Sequence, residues 1–216
     1  LALKVNANIK GKSINDITGR IHIDSISIQT PEKTYSTKSI KIVGENTPNG
    51  NRKITANGDF IDATVTGKIN YSDIAKSFIN KLGTSMPVLF KTSSKLKNAF
   101  KFEFMLRDSE MARHLLDTDL VLSEPVVITG SIDDTKNLVE TSITGNNIFF
   151  NGNEYKDLYF IANNEENLKL DLGVTRQEKK GHSTIIGITG KANNNRLDTK
   201  LSWNAIGGEQ ESKGTL

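Results

Sequence analysis

Three histidines and three close pairs of carboxylates are the side chains here that could do acid–base or metal chemistry. His22, His114 and His182 stand far apart, and none has the spacing of a ligand pair. Asp117 with Asp119, Asp133-Asp134 and Glu165-Glu166 each fall in an expected turn, where acidic side chains mostly cap backbone or face water. A weak calcium site at Asp117 and Asp119 would lack a following loop of calcium-binding length. The nearest phosphate-loop candidate, Gly187-Ile188-Thr189-Gly190-Lys191-Ala192, fails twice. Ile185 occupies the place of the first glycine, and Ala192 the place of the metal-holding Ser or Thr. Gly83-Thr84-Ser85-Met86-Pro87 and Gly181-His182-Ser183-Thr184-Ile185 begin like nucleophile elbows but lack the closing glycine. Cysteine is absent, which excludes disulfides, zinc ribbons and thiol nucleophiles. The residues therefore point to no enzyme, no metal and no cofactor.

Charge narrows the partners. The 28 basic and 25 acidic residues leave a net +3, too balanced for a typical nucleic-acid binder. Aromatic residues at 6% offer little for base stacking. The basic group Lys91, Lys95, Lys97 and Lys101 could meet anionic lipid headgroups, although a solvated loop and strand flank is the simpler reading. Mean hydropathy is −0.40, and no apolar run approaches the roughly 18–20 residues of a membrane helix. The chain opens at Leu1 without Met and stops at Leu216 soon after Gly207-Gly208, so both ends read as cuts within a longer protein.

The elements that must position any site are strands. Apolar residues alternate with polar ones at period two, which puts them on one face of a strand. Val5, Ala7 and Ile9 follow Leu3; Ile21 and Ile23 follow Ile17 and Gly19; then the phase slips to Ile26 and Ile28, which predicts a β-bulge near Asp24-Ser25. Ile40 and Ile42 come next. Ile54, Ala56 and Phe60 change phase to Ile61, Ala63, Val65 and Ile69, which suggests a second bulge or bend. The second half repeats the habit through Phe100, Phe102, Phe104 and Leu106, then Val126, Ile128 and Ile132. Leu158, Phe160 and Ala162 precede Leu168, Leu170, Leu172 and Val174 across the turn 163–167. Ile186, Ile188 and Ala192 lead through Asn193-Asn194-Asn195 to Leu197, Leu201 and Trp203. Asn151-Gly152 is the best local hairpin signal, since both residues tolerate positive φ. Short turns without intervening helices predict antiparallel meanders.

Two helices interrupt them. Ser72 suits an N-cap, Ile74, Phe78 and Leu82 stack at i, i+4, i+8 as the sheet-facing stripe, and Gly83 with Pro87 should end the helix. A shorter helix is expected from Ser109, with Met111 and Leu115 on one face. Residues 1–71, 72–97 and 98–216 thus read as a first β segment, a helix with its loop, and a second β segment. A tripeptide recurs as Ile17-Thr18-Gly19, Val65-Thr66-Gly67, Ile128-Thr129-Gly130, Ile143-Thr144-Gly145 and Ile188-Thr189-Gly190. Its glycines suit mid-strand bends or close approach of another chain.

The run Arg52-Lys53-Ile54-Thr55-Ala56, then 59–72 and the helix ending at Leu82, with Ile17–Ile21 and the strand up to Ile28, resembles the TamB translocation and assembly module proteins of diderm bacteria. That resemblance implies an AsmA-like bridge protein: an inner-membrane anchor, then a long sheet folded into an open, β-taco-like U-shaped trough. It implies a periplasmic location, a role in outer-membrane protein assembly and phospholipid movement, and contacts to the inner membrane and an outer-membrane barrel partner through regions outside this chain. No catalytic residues come with it. The expected fold is all-β with one or two short helices, an open trough, the alternative being a β-sandwich. The expected lining of a groove for phospholipid acyl chains is Val5, Ala7, Ile9, Ile21, Ile23, Ile40, Ile42, Ile54, Ala56, Ile61, Ala63 and Val65. A carbohydrate-binding adhesin, which should expose an aromatic platform, and a structural spacer of a surface protein are the rival functions.

Overall fold

The computed structural model describes residues 2–91, 96–178, 181–207 and 212–216, apart from the side chain of Ile14. The chain is 59% strand, arranged in one sheet that does not close. Strands β1 (Ala2–Lys10), β2 (Thr18–Gln29), β3 (Thr34–Thr37), β4 (Ile40–Asn46), β5 (Arg52–Asn57) and β6 (Ile61–Lys68) precede helix α1 (Ile74–Ser85). After α1 come β7 (Ala99–Leu106), helix α2 (Glu110–Leu115), β8 (Val121–Leu122), β9 (Val126–Asp133) and β10 (Leu138–Gly145). The chain ends through β11 (Ile148–Phe150), β12 (Asn153–Asn163), β13 (Leu168–Gln177), β14 (Ser183–Asn193), β15 (Arg196–Ile206) and β16 (Lys213–Thr215). The main path runs β1-β2-β4-β5-β6-β7-β9-β10-β12-β13-β14-β15-β16, and every adjacent pair is antiparallel. β6 pairs with β7 across the helix insertion, so the two β segments join edge to edge.

The three short strands off this path, β3, β8 and β11, are pieces of interrupted strands. β3 and β4 both pair with β2 on either side of the extra residue Asp24, so the bulge expected near Asp24-Ser25 is where the register shifts. β10 and β11 both pair with β12 on either side of Lys156 and Asp157, beside a second register shift between Lys156 and Tyr159, and Asp157 takes φ +53°. These breaks line up across the sheet. Polar side chains staple them: Lys38 N–H donates to Asp59 Oδ2 at 2.9 Å, Leu122 N–H to Asp108 Oδ1 at 3.1 Å, and Asn147 Nδ2 to Glu124. The phase change between Ala56 and Ile61, expected as a bulge or bend, is a hairpin instead. Gly58-Asp59-Phe60 turns the chain, closed by Gly58 N–H to Ile61 O at 2.8 Å.

Turn chemistry accounts for the other reversals. Asn151 and Gly152 take φ +49° and +70°, as a type I′ hairpin requires, and Asn194 and Asn195 repeat this at +50° and +63°. Among the Thr-Gly repeats, the close-approach reading holds where space is tightest. A Cβ on Gly67, whose φ is +143°, would run into the Ala99 carbonyl, and one on Gly130 would strike the Phe102 ring across the strand pair. At Gly190 the nearest atoms are an ordinary 3.6 Å away, and nothing there demands glycine.

Only ten apolar side chains among the described residues are buried, and four of them (Ile69, Phe100, Ile132 and Val139) form one small cluster under α1. The total exposed surface is 13,912 Å², whereas a compact protein of 23.8 kDa would expose about 9,900 Å². A sandwich would bury its inner faces. Among the described residues no second layer packs on this sheet.

α1 departs from expectation in three ways. It is preceded by a 3-10 turn at Tyr71–Asp73 capped by Asn70, whose side chain accepts from Ser72 N–H, so Ser72 is not the cap. It runs through Gly83 to Ser85. Its inward residues are Ser77, Lys81 and Ser85, while Phe78 is 37% exposed. α2 starts as expected, with Ser109 Oγ accepting from Ala112 N–H at 3.2 Å; Met111 is buried but Leu115 is exposed.

Candidate functional site

Strict register turns the period-two alternation into rows that run across the sheet. Ala7, Ile21, Ile42, Ala56, Ala63, Phe104, Ile128, Ile143, Phe160, Leu172, Ile188 and Leu201 are consecutive cross-strand partners. Directly paired residues point to the same face, so this is one uninterrupted apolar row, about 53 Å long over eleven strand spacings. The row one residue along, on the opposite face, reads Asn8, Arg20, Val43, Thr55, Thr64, Glu103, Thr129, Ser142, Ile161, Asp171, Thr189 and Lys200. Two of those twelve are apolar. The sheet is therefore amphipathic along its whole length.

The structure places all twelve expected lining residues on the apolar face. Ala7, Ile21, Ile42, Ala56 and Ala63 belong to the central row. Val5, Ile23, Ile40 and Ile61 flank it on the side of the strand breaks, and Ile9, Ile54 and Val65 flank it on the other side. Ile40 is buried; Ile21, Ile23, Ile42, Ile54, Ala56, Ile61, Ala63 and Val65 are half-buried; Val5, Ala7 and Ile9 on the edge strand are exposed. Ile188 and Leu201, near the far end, are again exposed, at 41% and 36%.

A polar network fastens α1 to one rim of this face. Lys81 and Asp134 form an ion pair at 3.1 Å with side chains only 2% and 3% exposed. The Lys81 ammonium is off hydrogen-bond geometry with that carboxylate oxygen and donates instead to the Asp133 carbonyl and Asn137 Oδ1, both at 3.3 Å. Asp134 Oδ2 accepts from the backbone of Asn98 at 2.7 Å and from Ser77 Oγ at 2.8 Å, and Asn98 Nδ2 donates to Ser77 Oγ at 2.9 Å. Farther along, Asn137 Nδ2 donates to Thr84 Oγ1 at 2.9 Å, and Asn195 N–H donates to Ser85 O at 3.0 Å. Asn137 lies in the β9–β10 turn and Asn195 in the β14–β15 turn. In a flat sheet these turns would stand four strand spacings, about 19 Å, apart. Both reach consecutive helix residues because the sheet curls toward α1, the side on which Ile74 packs against Phe100 and Ile132. The apolar face is thus the concave one.

Sequence reasoning passed over this network. Asp133 does what a turn aspartate usually does, accepting from Thr135 and Lys136 N–H, and the Thr135 hydroxyl at its carboxylate holds its pKa below the ordinary value. Asp134, one residue on, is buried instead of solvated. A lysine and two serines on a stripe with Ile74 were the available signal. At the same rim Arg52 is buried, with its guanidinium 5.5 Å from the Tyr71 ring centre and Nη1 unpartnered by protein.

The other candidate groups do not converge. His22 is exposed beside Asp24, His114 stacks on Tyr35 at 4.4 Å between ring centres, and His182 sits at the start of β14. Gly187–Ala192 lies wholly within β14, without the strand–loop–helix setting of a phosphate loop. Among the described residues no three His, Asp or Glu side chains come together to hold a metal, and no helix is long and apolar enough to cross a membrane. Lys91, Lys97 and Lys101 are exposed; Lys95 lies outside the described residues. No protein-family model matches the chain, and no curated protein or solved structure does either.

Proposed function

We propose that the concave face is a groove for phospholipid acyl chains, and that the chain is an internal stretch of a TamB-like bridge protein in the periplasm. Such a stretch would support lipid movement or outer-membrane protein assembly passively. The observation that carries this reading is the central row: twelve consecutive apolar side chains on a face that no second layer covers, backed by a polar face. An open apolar row of this length is a cost to a protein that leaves it in water. It becomes useful when an apolar guest lies along it, since each methylene withdrawn from water contributes about 0.8 kcal/mol. The ladder holds the groove open, and no step requires a reacting group.

Ala63→Asp tests the reading. Ala63 faces Ala56 and Phe104 in the central row, is half-buried, and lies far from both sheet edges, so an added carboxylate has room but stands in the groove. An unpaired charge in an apolar path opposes acyl-chain entry. The variant should keep its circular dichroism spectrum and lose photo-crosslinking to phospholipid. A folded variant that captures lipid as well as the parent protein does would remove the groove from the mechanism.

A further inference from the structure

α1 and the turn behind it carry several exposed apolar side chains. Phe78 and Ile79 are 37% and 42% exposed, and Val88 and Leu89 in the following turn are 79% and 67% exposed. The turn itself is fixed: Val88 N–H donates to Asn195 Oδ1 at 2.9 Å, and Phe90 N–H donates to Met86 O at 3.1 Å. The exposure is thus built into an anchored element. Charge around it is one-sided. Six of the 28 basic residues and none of the 25 acidic ones fall between Ile74 and Phe102. Lys81 is consumed by Asp134 and Lys76 pairs with Asp73, whereas Lys91 and Lys97 are exposed and have no acidic partner among the described residues.

Exposed apolar residues in a stretch that carries lysines and no acidic residue suit the interface of an anionic bilayer, where side chains enter the headgroup–acyl boundary and lysines meet phosphates. A protein partner fits less well, because protein interfaces are depleted in lysine. We propose that the α1 rim is a membrane-docking surface: Val88 and Leu89 insert into an anionic phospholipid bilayer while Lys91 and Lys97 hold its headgroups. This goes beyond the groove and does not depend on what the groove carries.

The test is co-sedimentation with extruded vesicles, one set pure phosphatidylcholine and one set half phosphatidylglycerol. The protein should bind the anionic vesicles more tightly, and added salt should weaken binding. A Val88→Asp/Leu89→Asp double variant should lower the partition coefficient by about tenfold or more, since two inserted apolar side chains are replaced by anions. Lys91→Glu should lower it by at least about fivefold, the loss expected for one cation near the surface. Lys91 is exposed and has no acidic partner among the described residues, so this second variant keeps the fold even if the double variant does not. Lipid crosslinking in the groove should survive both changes, which separates failure here from failure of the groove reading. Indifference of vesicle binding to both variants, or no binding to anionic vesicles, would overturn the proposal. So would a dimer in sedimentation velocity that the double variant disperses, since a second copy would then be the occupant.

Discussion

Replacing Lys81 by Met should be among the most damaging single changes to this fold, and its cost can be worked from the network around it. The ammonium lies 3.1 Å from Asp134 Oδ1, and both side chains are almost wholly removed from water. At an effective dielectric of about 20 the gross attraction is about 5 kcal/mol. Removing one partner of a buried pair typically costs about 3–5 kcal/mol, because the other charge is left behind. Asp134 would still accept from Asn98 N–H and Ser77 Oγ, so the lower end, about 3 kcal/mol, is expected. Lys81→Met/Asp134→Asn removes both charges and keeps those two bonds, and it should recover most of the loss. Phe78→Ala, on the neighbouring stripe, should cost about 1 kcal/mol or less, well below a buried aromatic truncation, because the ring is already 37% exposed. Urea unfolding followed by far-ultraviolet circular dichroism measures all three, with the denaturant slope checked for constancy. A Lys81→Met variant within about 0.5 kcal/mol of the parent protein would refute polar anchoring of α1. A Phe78→Ala cost above about 3 kcal/mol would refute it from the other side.

Two further outcomes follow from shape and charge. Thirteen strands stacked along one path give a body about 60 Å long, for which a radius of gyration near 20 Å is expected, against about 17 Å for a compact chain of this size; small-angle scattering at the compact value would exclude the open sheet. At the strand breaks, hydrogen bonding from Arg107 holds the Asp62 carboxyl below its ordinary 3.8, with Asn57 assisting. Stability from a lowered carboxylate is complete above the unfolded value and is lost as pH falls through the folded one, so Asp62→Asn should flatten the acid limb of the urea midpoint between about pH 5 and 2. An unchanged acid limb would show that the pair contributes nothing.

What was legible in the sequence was what local rules decide. The period-two pattern put all twelve residues expected to line a groove on one face because strand register preserves alternation, and Asp24 announced its bulge by the phase slip from Ile23 to Ile26. Asn151-Gly152 chose its turn by φ preference alone. The misreadings are non-local. Gly58-Asp59-Phe60 closes locally, through Gly58 N–H to Ile61 O, but the Asp59 carboxylate that holds it in place accepts from Thr37 and Lys38, 22 and 21 residues upstream. The stripe Ile74, Phe78, Leu82 was the better apolar match, yet the competing stripe Ser77, Lys81, Ser85 faces inward. Asp134 and Asn98, distant in sequence, supply its partners. No helical periodicity contains that information. The resemblance to TamB proteins rests on the order of elements in residues 52–82 together with Ile17–Ile21 and the strand up to Ile28, and no family model matches the chain.

The polar attachment of α1 and the bare apolar row belong to one design problem. A curled sheet with no second layer must hold its curvature by something other than a filled interior. Apolar packing would do this by covering the concave face, because hydrophobic burial is non-directional and proceeds until the apolar area is removed from water. Hydrogen bonds and ion pairs fix positions without filling the space between them. α1 ties the β9–β10 turn to the β14–β15 turn through Asn137, Asp134 and Asn195, all at the strand ends. Its half-buried Ile74 packs on the small cluster at the rim. The helix therefore sets the chord of the curve while leaving the row from Ala7 to Leu201 uncovered. An α1 fastened through Phe78 and Leu82 instead would have to lie on that row, and the groove would be its own core.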